Sequence, residues 1–211
     1  MRKPLGGGSV ISALAIDPIA RKLGRLFAEL PFTPNQITVA ATVVGMFAGI
    51  LFLYDAWTLG AISIFVSMVL DGLDGEIARI KRMKSKYGFF CDSLLDRFVD
   101  IFIIFGIAYS SIKFYGNMAL VIGFFSAVFA GVLSSYSAKL IKIIGDIDTY
   151  WENEWPKFPD GRDIRLCLLM CGSLGNSFVH WSGLLSVFII FLLSFVKVVS
   201  RLVFYRHKFV D

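Results

Sequence analysis

Residues 71–96 read DGLDGEIARIKRMKSKYGFFCDSLLD, and they put Asp71, Asp74, Asp92 and Asp96 at the ends of two long apolar runs. An ionised side chain at membrane depth costs roughly 2.5–3.5 kcal/mol on insertion scales. Four in one short stretch need a compensating partner, and a bound divalent cation is the obvious candidate. Asp71 and Asp74 are spaced to share one helix face, as are Asp92 and Asp96. On antiparallel neighbouring helices joined by the short basic connection between them, both pairs fall at the same end and converge. Two carboxylates about 4 Å apart repel by about 4 kcal/mol at an effective dielectric near 20. One or two Mg²⁺ or Mn²⁺ ions would offset that charge, since hard cations prefer oxygen ligands and keep positions open for phosphate.

The rest of the chain sets those aspartates in a membrane. Hydrophobic residues make up 56% of its 211 residues and charged residues 18%, with a mean hydropathy of +0.71, well outside soluble usage. Six apolar helices are expected, at residues 37–54, 57–80, 88–112, 118–141, 165–175 and 180–204. The second and third reach the ~20 residues of a full span only by continuing through the aspartates. Gly172 and Gly175 interrupt the fifth. Connections alternate between basic and nearly uncharged, with Arg79, Lys81, Arg82, Lys84 and Lys86 in the one that carries the motif. By the positive-inside rule, both termini and the aspartates face the cytoplasm. The fold expected is therefore all-α and integral to the cell membrane, with six transmembrane helices in residues 35–211.

Residues 1–34 precede that bundle as a cytoplasmic segment. Asp17-Pro18 looks like an N-cap with proline at the first helical position. Ile16, Ile19, Ala20, Leu23, Phe27 and Leu30 then recur at helical spacing, with Arg21, Lys22 and Arg25 on another face. This predicts an amphipathic juxtamembrane helix lying on anionic lipid. Further on, Trp151, Trp155, Pro156 and Pro159 suggest an interfacial connection. Cys91, Cys167 and Cys171 lack the spacing of a metal site and read as small membrane-packed thiols.

The small and basic residues of the motif suit a phosphate ligand. Gly75 and Ala78 remove bulk beside the acidic face, Arg79 offers a fixed cation, and Gly88 can pack closely against the second helix of the bundle. The whole pattern, D-x-x-D-G-x-x-A-R, eight residues, then G-x-x-x-D-x-x-x-D, resembles the signature of the CDP-alcohol phosphotransferases, with every fixed position matched. The resemblance implies transfer of a substituted phosphate from a CDP-alcohol, of the CDP-diacylglycerol or CDP-inositol type, to an acceptor hydroxyl, with release of CMP. It implies that Asp71, Asp74, Asp92 and Asp96 bind a pair of divalent metals and that Asp96 is the general base. Gly75, Ala78 and Arg79 would contact the CDP part, with Ser85 near its phosphates. Asn35, within Thr33-Pro34-Asn35, would border the cytidine.

The acceptor is less defined. Lys139, Arg162 and Arg165 are candidates to hold the phosphate of an acceptor such as inositol phosphate or glycerol phosphate. Gly161-Arg162-Asp163-Ile164-Arg165 looks like the archaeal branch that joins inositol phosphate to CDP-inositol. The expected partners are thus a CDP-alcohol, an alcohol or phospho-alcohol, membrane lipid and a second copy of the chain, with Gly123 and Gly131 permitting close helix contact, and no nucleic acid. A divalent-cation or proton-coupled transporter is the alternative, because intramembrane acids also mark ion pathways.

Overall fold

A computed structural model describes residues 16–145 and 161–206. Among them the chain is helical: α1 (Asp17–Ala28), α2 (Pro34–Leu53), α3 (Trp57–Ile80), α4 (Lys86–Ser110), α5 (Ile112–Tyr115), α6 (Asn117–Ser126), α7 (Ser134–Gly145), α8 (Arg162–Asn176) and α9 (Ser182–Tyr205). A π-helical segment, Ala127–Leu133, joins α6 to α7. Among the described residues, three stretches are long and apolar enough to cross a membrane: Pro34–Leu53, Asn117–Ile144 and Ser182–Tyr205. The aspartates of α3 and α4 lower the hydropathy of those helices, and α8 is short. The tryptophans and prolines of residues 151–159, and the basic residues at both extreme ends, lie outside the described residues.

α2, α3 and α4 form the heart of the bundle. The α2 start is set by a capping box, in which Thr33 Oγ1 accepts from the Gln36 N–H while Gln36 Oε1 accepts from the Thr33 N–H; Pro34 occupies the first helical position, where its missing N–H costs nothing. Gly49 lies against the Phe102 backbone and Gly106 against Gly49 itself, so α2 and α4 approach to backbone contact. Ser63 and Ser67 of α3 donate to the Val44 and Ala41 carbonyls of α2, both at 2.8 Å. These bonds satisfy hydroxyls that would otherwise be buried without partners. Below them Phe52, Ile64, Ile103, Ile104, Ile107, Leu166 and Ile190 fill the core.

Several local details depart from the sequence reading. Asp17 is the first helical residue of α1 and pairs with Arg21 at 3.5 Å, so Ile16, with no side-chain cap, precedes the helix. α1 also docks on α3, with Ile16 and Ala20 over Gly72 and Gly24 over Glu76, while Lys22 and Arg25 stay exposed. Gly172 and Gly175 do not break α8: Ser186 and Ser182 of α9 pack into the space they leave, and Ser182 Oγ donates to the Gly172 carbonyl at 2.9 Å. Gly123 is likewise filled from within the chain, by Ala108 of α4, and Gly131 faces Ile101. The expected fourth helix is interrupted by the π-helical segment, whose Gly131 carbonyl accepts from Arg97 Nη1 at 3.4 Å.

Candidate active site

The last two turns of α3 and the first three of α4 bring the motif together, with the start of α2 on one side and α8 on the other. Carboxylate oxygens of Asp71, Asp92 and Asp96 all lie within 4.8 Å of one another. Asp74 stands aside from this trio: it is buried, and its Oδ2 accepts the Thr38 hydroxyl at 2.5 Å.

Arg162 closes the acidic cluster from α8. Its Nη1 lies 2.8 Å from both Asp71 Oδ1 and Asp96 Oδ1. Asp100, one turn beyond Asp96, is buried behind them; Arg165 Nη2 donates to its Oδ2 at 3.1 Å, and Arg97 Nη1 and Arg162 Nε each approach it to 3.6 Å. Arg97 also donates to Ser135 Oγ at 2.7 Å, which ties α4 to α7. Arg162, read from the sequence as an acceptor contact, is therefore turned onto the aspartates, and Arg165 is buried against Asp100. Lys139 is exposed on α7.

The donor set suits a hard divalent ion. All its atoms are carboxylate oxygens, and opposite ligands on Mg²⁺ stand roughly 4 Å apart, given metal–oxygen distances of about 2.0–2.1 Å. The guanidinium between Asp71 and Asp96 marks the same point as one that calls for positive charge.

Beside the cluster opens a cavity of about 290 Å³ that includes Asn35, Gly75, Ala78, Arg79 and Ser85, together with Asp74 and Asp92. A side chain at Gly75 would meet only the end of Arg79, at 3.8 Å, so the glycine leaves that floor open to a ligand. Gly88 has a different role from the one its position suggested. It faces Asn35 of α2, and a Cβ there would sit 3.1 Å from Asn35 Oδ1 and from Ser85 Oγ. Ser85 caps α4 by accepting from the Gly88 N–H at 2.9 Å. Lys84 and Arg79 give the cavity wall a cationic edge.

Thr38, Arg97 and Asp100 were missed from the sequence. Asp100 continues the four-residue progression from Asp92 through Asp96, so its place on the same helix face was legible. Thr38 had no such signal, because its partner is set by how α2 crosses α3.

An all-helical membrane bundle with clustered carboxylates beside a cation-edged cavity defines a class of integral membrane enzymes that handle phosphate. Residues 32–149 match the model of the CDP-alcohol phosphatidyltransferase family, and the chain belongs to that family. It is 36% identical over 140 residues to a bifunctional IPC transferase and DIPP synthase of Aquifex aeolicus, covering 66% of this chain and 32% of that protein. An archaetidylinositol phosphate synthase of Pyrococcus horikoshii is 39% identical over 92 residues, 44% of this chain and 48% of that one. The chain thus spans a third to a half of these relatives' length. In fold it is similar to the phosphatidylinositol phosphate synthase of Mycobacterium tuberculosis, with a TM-score of 0.72 at 19% identity over 90% of this chain and 98% of the other. That synthase has also been solved with CDP-DAG and with manganese and citrate. Family membership points to group transfer and gives no support to ion transport.

Proposed function

We propose that this chain transfers a substituted phosphate from a CDP-alcohol to the hydroxyl of a phosphorylated alcohol, releasing CMP. The observation that carries the proposal is the shared position of Asp92, which lines the nucleotide-sized cavity and also belongs to the acidic trio. The donor's cytidine would lie against Asn35, Gly75 and Ala78, with Arg79 and Ser85 at its diphosphate. Divalent cations, two Mg²⁺ or Mn²⁺ ions held by Asp71, Asp92 and Asp96 with Asp74 completing the set, would neutralise the diphosphate and the charge that develops on departing CMP. Asp96 would take the acceptor's hydroxyl proton as the acceptor oxygen bonds to phosphorus and the bond to CMP breaks. An alcohol is a poor nucleophile until a positioned base accepts that proton, a contribution of typically 10²–10⁴ in rate.

Arg162, displaced from the aspartates, is the candidate anchor for the acceptor's phosphate, with Arg165 supporting it through Asp100 and Lys139, exposed on α7, a further candidate. The archaetidylinositol phosphate synthase relative supports inositol phosphate as the acceptor class. We place the membrane along α2, α3, α4, the α6–α7 helix, α8 and α9, with α1 on the inner surface before residue 34. The alternation of basic and uncharged connections supports a cytoplasmic site and cytoplasmic termini. A homodimer belongs to the same reading and rests on the family alone.

The test is CMP release by the purified chain with Mg²⁺, from CDP-diacylglycerol or CDP-inositol, across inositol 1-phosphate, glycerol 3-phosphate and serine. Acceptor-dependent CMP release that stops on adding a chelator is expected. No release from either donor with any acceptor would remove the proposal.

A further inference from the structure

Lys81 lies just past α3, outside the motif's fixed positions, yet its side chain does more than add charge to a cytoplasmic connection. Its Nζ donates to the Leu30 carbonyl at 2.6 Å and to the Phe32 carbonyl at 2.8 Å. Those carbonyls belong to the elbow between α1 and α2. The same elbow runs directly into Thr33-Pro34-Asn35, and Pro34, Asn35 and Thr38 make one wall of the cavity. The opposite wall, Gly75, Ala78 and Arg79, is on α3, whose end Lys81 caps through backbone bonds to Ile77 and Arg79.

We infer that Lys81 is a positioning residue that fixes the width of the nucleotide cavity by clamping the α1–α2 elbow onto the end of α3. A carbonyl pair at the close of one helix turn has lone pairs directed outward, and an ammonium with three donors can take two of them at once. Neither carbonyl is offered a backbone partner by α2, whose first turn is closed by its own capping box. The aspartates are reached from this wall at one point, the Thr38–Asp74 bond, so a loosened elbow spoils the cytidine side first. The inference rests on the cavity being the donor site.

The experiment measures CDP binding by calorimetry in the presence of Mn²⁺, with Mn²⁺ binding alone followed by electron paramagnetic resonance. Lys81→Met should weaken CDP at least tenfold, the scale expected when hydrogen bonds to a charged group are lost, and leave Mn²⁺ binding unchanged. In turnover the KM for the CDP-alcohol should rise while kcat and the acceptor's KM hold. Lys81→Arg, which can still reach both carbonyls, should restore most of the affinity, and Lys81→Gln serves if the methionine variant does not fold. CDP affinity equal to wild type in the methionine or glutamine variant overturns the role of Lys81 alone. So does a parallel loss of CDP binding, Mn²⁺ binding and melting temperature, which is the mark of general destabilisation. Wild-type protein that binds Mn²⁺ but no CDP overturns the donor site itself, and the clamp with it.

Discussion

Asp100 is the point at which the buried electrostatics of the site concentrate, and Asp100→Asn removes its charge while keeping its shape. The carboxylate is 3% exposed and holds Arg165, itself 5% exposed, at 3.1 Å, with Arg97 and Arg162 at 3.6 Å. Solvent cannot take over for a charge so placed. Removing one partner of a buried ion pair costs about 3–5 kcal/mol. In a chain of this size each kcal/mol moves the melting temperature by about 2–4 °C, so Asp100→Asn should lower it by roughly 6–20 °C. Thermal unfolding in detergent, followed by loss of helical circular dichroism, measures this, with the exposed Glu29→Gln as a control expected within about 0.5 kcal/mol of wild type. The double variant Asp100→Leu/Arg165→Met should recover much of the loss, because exchanging a whole buried pair for apolar groups is often neutral. A single Asp100→Asn that melts within about 2 °C of wild type would refute the reasoning.

Three further expectations follow from other parts of the molecule. Gly106→Ala places a methyl on the Gly49 backbone and should cost about 1–3 kcal/mol in thermal unfolding, as overpacking does. Asp96→Asn should retain CDP binding while CMP release falls by at least about 10²; wild-type turnover would remove Asp96 as the base. At the far end of the bundle, burial opposes the charge of Asp55, but Lys113, 2.6 Å away, and the Ser110 hydroxyl outweigh it and hold the carboxyl below its usual 3.8. A carboxyl depressed in the folded state stabilises above its unfolded value, and that contribution fades as pH falls from 3.8 through the lower folded one. The melting difference between wild type and Asp55→Asn should therefore be steady at neutral pH and shrink only in acid; a difference that is largest in acid would contradict it.

The outline of this bundle was legible because its signals are local. Apolar length located the long helices within a few residues, and the spacing of the aspartates fixed which helix faces carry them. The first of those helices was expected from residue 37, and the capping box of Thr33 and Gln36 that starts it at Pro34 was not read. What else escaped the reading depends on how helices cross. Arg162 was read as a contact for the acceptor's phosphate, and its place between Asp71 and Asp96 emerged only with α8 packed against α3 and α4. Gly172 and Gly175 looked like breaks because their use, admitting Ser186 and Ser182, lies on another helix. Gly88 was assigned to the wrong neighbour for the same reason. The π-helical segment at Ala127–Leu133 left no mark in composition, and the bond from Arg97 of α4 to its Gly131 carbonyl depends on how α4 packs beside it.

The guanidinium between Asp71 and Asp96 bears on how such a protein is made. Proteins whose ligands repel one another until an ion arrives depend on that ion to fold. This chain brings its own counter-ion, carried on a helix synthesised after the acids it neutralises. On the proposed reading, the bundle can assemble before any divalent ion is bound, because Arg162 already balances part of the acidic charge. Stripping the ions should silence the protein without unravelling it.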